Sequence, residues 1–217
     1  MKNVLITGAT GNLGKSVVEE FSDGAFTVNV AVRKPAENTG TESVWCADLS
    51  NGEEVTHMIS EIMDAQNDLS AVIHLVGGYQ AGGLAETNLE DVNAMIKLNF
   101  GTAFNIVHSL LPHYIKSGAG KFIFIGAKAA MDPGSASHNV AYAMSKQMLV
   151  PFAQVINENY RKNNISAHVL LPGTLDTALN RSLMPDADFS KWTSTSKLSK
   201  TMREIVEGIE TSELIRF

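Results

Sequence analysis

Of 217 residues only one, Cys46, is a cysteine, which excludes an internal disulfide and any metal centre built on paired thiolates. A lone thiol suits a reducing compartment. At the end of a short apolar run, Cys46 is expected to be a small buried hydrophobe. Long hydrophobic runs are also missing. Nothing approaches the roughly 20 apolar residues that span a bilayer, and the apolar core of MKNVLITGATG is too short for a secretory signal. The expectation is a cytoplasmic protein with no membrane partner. Basic clusters are absent too. With 17 Lys and Arg against 23 Asp and Glu, the net charge is -6, which argues against a nucleic-acid or anionic-membrane surface and leaves a small-molecule substrate as the expected partner. No repeat or Pro/Gly-rich linker divides the chain, so residues 1–217 are read as one domain, and no metal is expected.

What is present is an alternation. Apolar runs of strand length lie at 4–7, 27–32, 43–47, 71–76, 121–126 and 165–171, with helix-length amphipathic segments at 12–22, 51–65, 91–117 and 141–162. Strands that are continuously apolar, separated by helices, predict a parallel sheet covered on both faces. The fold class is α/β, a doubly wound parallel sheet (Rossmann fold) of about seven strands, the last of which ELIRF is barely long enough to supply. Pro151 is expected to kink the helix it falls in.

The turn LITGATGNLGKS follows the first strand and opens the first helix. Gly8, Gly11 and Gly14 let the chain turn tightly and approach a pyrophosphate, which the amides of Asn12 and Leu13 at the helix start would meet. Asp48 and Leu49 end the third strand, where a carboxylate can accept from an adenine amine. About 20 residues beyond the glycine turn, cofactor choice is made by an acid that bonds both ribose hydroxyls or by a cation that meets a 2′-phosphate. Arg33 stands there, with no carboxylate opposing it in the segment before Glu37. NADP is therefore the expected cofactor, with NAD possible as the weaker one.

YAMSK places Tyr142 and Lys146 four apart, on one face of a helix, where an ammonium can support a phenol in acid/base work. With the glycine turn and Asp48, this pair makes the chain resemble the short-chain dehydrogenase/reductase family along essentially its whole length. The resemblance implies that Tyr142 is the general acid, and that Lys146 binds the nicotinamide ribose and lowers the tyrosine pKa from about 10. It implies that Asn99, in the preceding long helix, holds a water of a proton relay. It also implies that Gly77, after the fourth strand, and Pro172, Gly173 and Thr177, after the sixth, contact the cofactor. The family's NNAG appears here as HLVGG, whose His74 is expected to bond the backbone. The catalytic serine, thirteen residues before the tyrosine, is replaced by Ala129.

Within the family, GAKAA, VGGYQAGG and TLDTALNRSLMPDADFSKW resemble the quinonoid dihydropteridine reductases, which also lack the serine. A planar conjugated acceptor, already electrophilic, would need only one proton donor. Residues at about 178–198 would form a substrate lid, with Met184, Phe189 and Trp192 over the ring, Ala127 beneath it and Tyr79 as a second stacking face. The alternatives are a general carbonyl or quinone reductase in which Ser135 or Ser137 replaces the serine, and a non-catalytic dinucleotide-binding redox sensor. The resemblance further implies a homodimer or homotetramer packed through the helices at 91–117 and 141–162.

Overall fold

The computed structural model describes residues 1–34 and 43–217; Glu37 lies outside them. Its elements run β1 (Lys2–Thr7), α1 (Asn12–Phe21), β2 (Phe26–Val32), β3 (Ser43–Cys46), α2 (Gly52–Gln66), β4 (Ala71–His74), α3 (Leu89–Ile96), α4 (Thr102–Ser117), β5 (Gly120–Ile125), α5 (Pro133–Ala136), α6 (Val140–Gln147), α7 (Leu149–Tyr160), β6 (Ile165–Leu171), β7 (Leu175–Asp176), α8 (Ala178–Leu183), β8 (Thr193–Ser194), α9 (Thr195–Glu207) and β9 (Leu214–Arg216). Among the described residues, seven strands form one parallel sheet in the order β3-β2-β1-β4-β5-β6-β9, and β7 and β8 pair apart from it. The terminal run ELIRF does supply the seventh strand, pairing Leu214 to Arg216 with Val169 to Leu171.

Period-two strands and period-3.6 helices together build the two faces. Leu5, Phe122 and Phe124 point to the side covered by α2, α4 and α7, while Val4, Ile6 and Ile123 point to the side covered by α1 and α9. Helix α9, absent from the sequence reading, places Leu198, Met202, Ile205 and Val206 on its buried stripe. Each such side chain, taken fully out of water, contributes about 1.5–3 kcal/mol.

Two expected helices are interrupted, for different reasons. A π-helical turn, Lys97–Gly101, separates α3 from α4 and carries Asn99, which is fully buried. The segment 141–162 breaks at Met148, three residues before Pro151, whose missing N–H leaves the Gln147 carbonyl without its helical donor. Cys46 corrects another expectation: it is exposed, because β3 is the edge strand and its last side chain alternates outward.

Candidate active site

Strand order reverses between β1 and β4, and a cleft of about 620 Å³ opens at their carboxyl ends. Gly8, Gly11, Arg33, Asp48, Leu49 and Gly77, all singled out from the sequence, line it. The glycine turn has a physical cause. Gly8 adopts φ +70°, and a β-carbon on Gly14 would stand 2.2 Å from the Gly8 carbonyl oxygen. Helix α1 starts at Asn12 with no side-chain cap, so its first amides remain available to an anion. Leu13 serves through its amide alone, since its side chain lies in the core. These features fit a dinucleotide.

At the adenosine end, Asp48 Oδ1 accepts from the Ser50 amide at 2.9 Å, and Asn51, not Asp48, caps α2. The Ser50 hydrogen bonds, then the Arg33 and Lys97 cations, hold the Asp48 carboxyl below its usual range. Arg33 is exposed at the end of β2. Thr10, Ser50, Ala94, Lys97 and Leu98 also line the cleft and escaped the sequence reading. Lys97 had one legible signal, its place two residues before Asn99.

Behind the cleft, His74 corrects the expectation of a backbone bond. Its Nδ1 meets Thr7 Oγ1 and its Nε2 meets Thr102 Oγ1, both at 3.0 Å. Thr102 donates to the Leu98 carbonyl and therefore accepts from Nε2–H, while Thr7 accepts from the Leu75 amide and donates to Nδ1. The ring is thereby held neutral, and burial depresses its pKa to about 3.

Tyr142 and Lys146 lie on α6, beside Asn99 and the Gly77–Gly78 turn. Lys146 is buried and donates from Nζ to the Ile125 carbonyl at 2.8 Å; burial lowers its pKa to about 8. Tyr142 differs from the family expectation, because its pKa is raised to about 12 by burial and then by the neighbouring Tyr79 phenol. Tyr79 is exposed and stands edge-on to Tyr142, ring centroids 5.0 Å apart. Asn99 accepts from the Gly78 amide at 2.8 Å and donates to the Gly78 carbonyl at 3.1 Å and to Ser145 Oγ at 2.9 Å. Both Nδ2 hydrogens are thus bonded within the protein, while Oδ1 keeps a second lone pair beyond the Gly78 amide. Ser145, buried and missed in the sequence, had its signal inside the YAMSK motif itself.

Beside Ala129, where a serine was looked for, Ala127, Ala130 and Ala143 form a small apolar cluster against Tyr142. The two candidate replacements turn into their own loop: Ser135 Oγ donates to Asp132 Oδ2 at 2.6 Å and Ser137 Oγ to the Gly134 carbonyl at 2.7 Å.

After β6, the Pro172 carbonyl accepts from the Lys128 amide, Gly173 N donates to Thr193 Oγ1 at 3.1 Å, and Thr177 caps α8 through the Asn180 amide. The ladder of β7 with β8 closes the base of segment 177–192. Within it, Phe189 packs on Trp192 with centroids 4.7 Å apart and lies under the Arg181 guanidinium, which pairs with Asp176. Met184 is exposed. Residues 195–198, expected in the same segment, instead begin α9, where Leu198 is core.

A glycine-lined dinucleotide cleft opening beside a Tyr/Lys pair defines an α/β oxidoreductase. Residues 2–188 match the family model for short chain dehydrogenase, and the chain belongs to that family of NAD(P)-dependent enzymes. Among curated relatives, it is similar to the dihydropteridine reductase of Dictyostelium discoideum, 28% identical over 94% of this chain and 87% of the relative. It is also similar to the oxidoreductase UcpA of Salmonella typhimurium, 23% identical over 100% and 86%. Solved structures of similar fold include ElxO with NADP bound, TM-score 0.89 at 19% identity over 99% of this chain and 96% of that one. A gluconate 5-dehydrogenase from Burkholderia cenocepacia, in complex with NADP and tartrate, superposes with TM-score 0.86 at 18% identity over 100% and 92%. No helix among the described residues is long and apolar enough to cross a membrane.

Proposed function

We propose that this enzyme uses NADPH to reduce a small, planar, conjugated acceptor of the quinonoid dihydropterin type. The observation that carries this reading is Ala129 at the position of the family's second donor, flanked by an apolar cluster of Ala127, Ala130 and Ala143. Tyr142 is left as the donor, with the Tyr79 ring beside it. A ketone needs its oxygen polarised by more than one hydrogen bond, whereas a quinonoid ring gains aromatic stability on reduction and needs one proton. The dihydropteridine reductase resemblance supports the same class.

When bound, the reduced nicotinamide supplies the hydride. In this reading Tyr142, with its pKa raised to about 12, is a fully protonated phenol at neutral pH and releases its proton to the acceptor. Lys146 presents its ammonium from beneath, toward the ribose and the phenol. Arg33 forks onto the 2′-phosphate, and an NADP-bound protein of similar fold supports that cofactor class. The segment 177–192 is the lid, with Phe189, Trp192 and Met184 excluding water. Two or four copies associate through the outer faces of α4 and α7, where Phe104 and Val155 are exposed. The exposed lone Cys46 agrees with a reducing, cytoplasmic setting.

The test is a nicotinamide absorbance assay with quinonoid dihydropterin, a quinone and a panel of ketones, using both cofactors. Dihydropterin turnover at least tenfold above every ketone is expected, and Tyr142→Phe should remove most of it. Preferential ketone turnover would overturn the substrate reading.

A further inference from the structure

Ser145 lies in the wall of the site but cannot touch a ligand, being fully buried. Its hydroxyl has two partners. It donates to the backbone carbonyl of Tyr142 at 2.7 Å and accepts from Asn99 Nδ2 at 2.9 Å. Asn99 in turn holds both backbone polar atoms of Gly78, the residue before Tyr79. One hydroxyl therefore links the helix turn that carries Tyr142 to the loop that carries the ring beside it.

Ala141 and Ala143 of that turn are buried, so packing holds it from one side, and Ser145 supplies its side-chain hydrogen bond. Asn139 begins α6 with no side-chain cap bond, at φ -154° and ψ 52°, and the first helical amide, Val140 N, is tied only to the Gly82 carbonyl at 3.0 Å. A first turn without a side-chain cap frays readily. Methyl in place of hydroxyl at 145 leaves the buried Asn99 N–H only the Met95 sulfur at 3.8 Å, a weak acceptor, and so loosens Asn99 and its hold on Gly78.

We infer that Ser145 is a positioning residue for proton transfer: through its bonds to Asn99 and to the Tyr142 carbonyl, it sets where the Tyr142 phenol stands relative to the acceptor. The inference rests on Tyr142 being the acid. The missing family serine is not restored by Ser145, which is fully buried and bonded to Asn99 and the Tyr142 carbonyl.

The experiment is a double-mutant cycle of Ser145→Ala with Tyr142→Phe. It is read as kcat with NADPH and whichever of quinonoid dihydropterin and phenanthrenequinone the wild type reduces faster. Ser145→Ala is expected to lower kcat roughly tenfold, with the NADPH KM within about twofold of wild type. In the Tyr142→Phe background the same change should cost less than about twofold, because nothing remains to be aligned. Ser145→Cys, which keeps a weak donor and acceptor of similar size, should recover part of the loss and stands in if the alanine variant does not fold. An equal loss in both backgrounds, or an unchanged kcat in Ser145→Ala, overturns the positioning role while leaving the acid intact. Wild-type turnover in Tyr142→Phe overturns both.

Discussion

The α-carbon of Gly77 lies so close to the Asn99 amide that a β-carbon there would stand 2.6 Å from Asn99 Oδ1, and 2.9 Å from Lys146 Nζ. Asn99 cannot yield cheaply, because three hydrogen bonds hold it. Gly77→Ala is therefore expected to lower kcat by tenfold or more, since it shifts both the amide that anchors Gly78 and the Lys146 ammonium proposed to hold the cofactor ribose. Steady-state kinetics with a far-UV CD control would check it. Wild-type kcat in the folded variant would mean that the site absorbs the methyl without moving.

Arg33 is the residue proposed to select the cofactor. Arg33→Asp should reverse the NADPH preference, losing about 1.5–3 kcal/mol of NADPH binding, the range for hydrogen bonds to a charged group. Lys97, across the same cleft, should leave a residual attraction for phosphate. The kcat/KM values for the two cofactors decide the matter, and a wild-type preference for NADH of tenfold or more would show that Arg33 does not meet the 2′-phosphate.

His74 makes the fold acid-sensitive. Its pKa is about 3 in the folded state against 6.5 for a free histidine. Between those values the unfolded chain binds the extra proton, so the stability that neutral His74 contributes is complete above pH 6.5 and is lost as pH falls. The slope is about 1.4 kcal/mol per pH unit, reaching about 2 kcal/mol at pH 5. Urea unfolding of wild type and His74→Gln at pH 7 and pH 5 would measure it. The stability gap between the two proteins should shrink by that amount at the lower pH, and a constant gap would count against a buried neutral imidazole.

Tyr114 offers a stabilising change. Its ring is buried against Phe122 and over Gly120, yet its hydroxyl has no hydrogen-bond partner among the described residues. Tyr114→Phe removes an unsatisfied polar atom and keeps the packing, so unfolding should become harder by about 1 kcal/mol. For a chain of this length that raises Tm by roughly 2–4 °C in calorimetry. A lower Tm would show that the hydroxyl is satisfied after all.

The parallel sheet, the glycine turn and the Tyr142/Lys146 pair were legible because each rests on local spacing: apolar runs of strand length, three glycines at a strand-to-helix junction, and residues four apart on one helix face. Thr10 and Ser50 adjoin residues that were legible, whereas Ala94 and Leu98 reach the cleft only because α3 and the turn after it fold over the ends of β1 and β4, segments distant in sequence. Helix α9 also rests on local spacing, with Leu198, Met202, Ile205 and Val206 on one face, but the reading of 178–198 as a lid ran across its start. Cys46 was misread because exposure at the end of β3 depends on which strand lies at the sheet edge, and no local pattern records strand order.

By itself, then, the sequence determined the layered fold, the glycine turn and the Tyr142/Lys146 pair, since periodicity and short-range geometry follow from the covalent chain. Only the tertiary structure decided the electrostatics and alignment of that pair. Burial holds His74 neutral, depresses the Lys146 ammonium and raises the Tyr142 phenol, while Asn99 bonds to Gly78 and Ser145. Desolvation and hydrogen-bond saturation are properties of what packs around a group, and the packing partners here come from segments tens of residues apart.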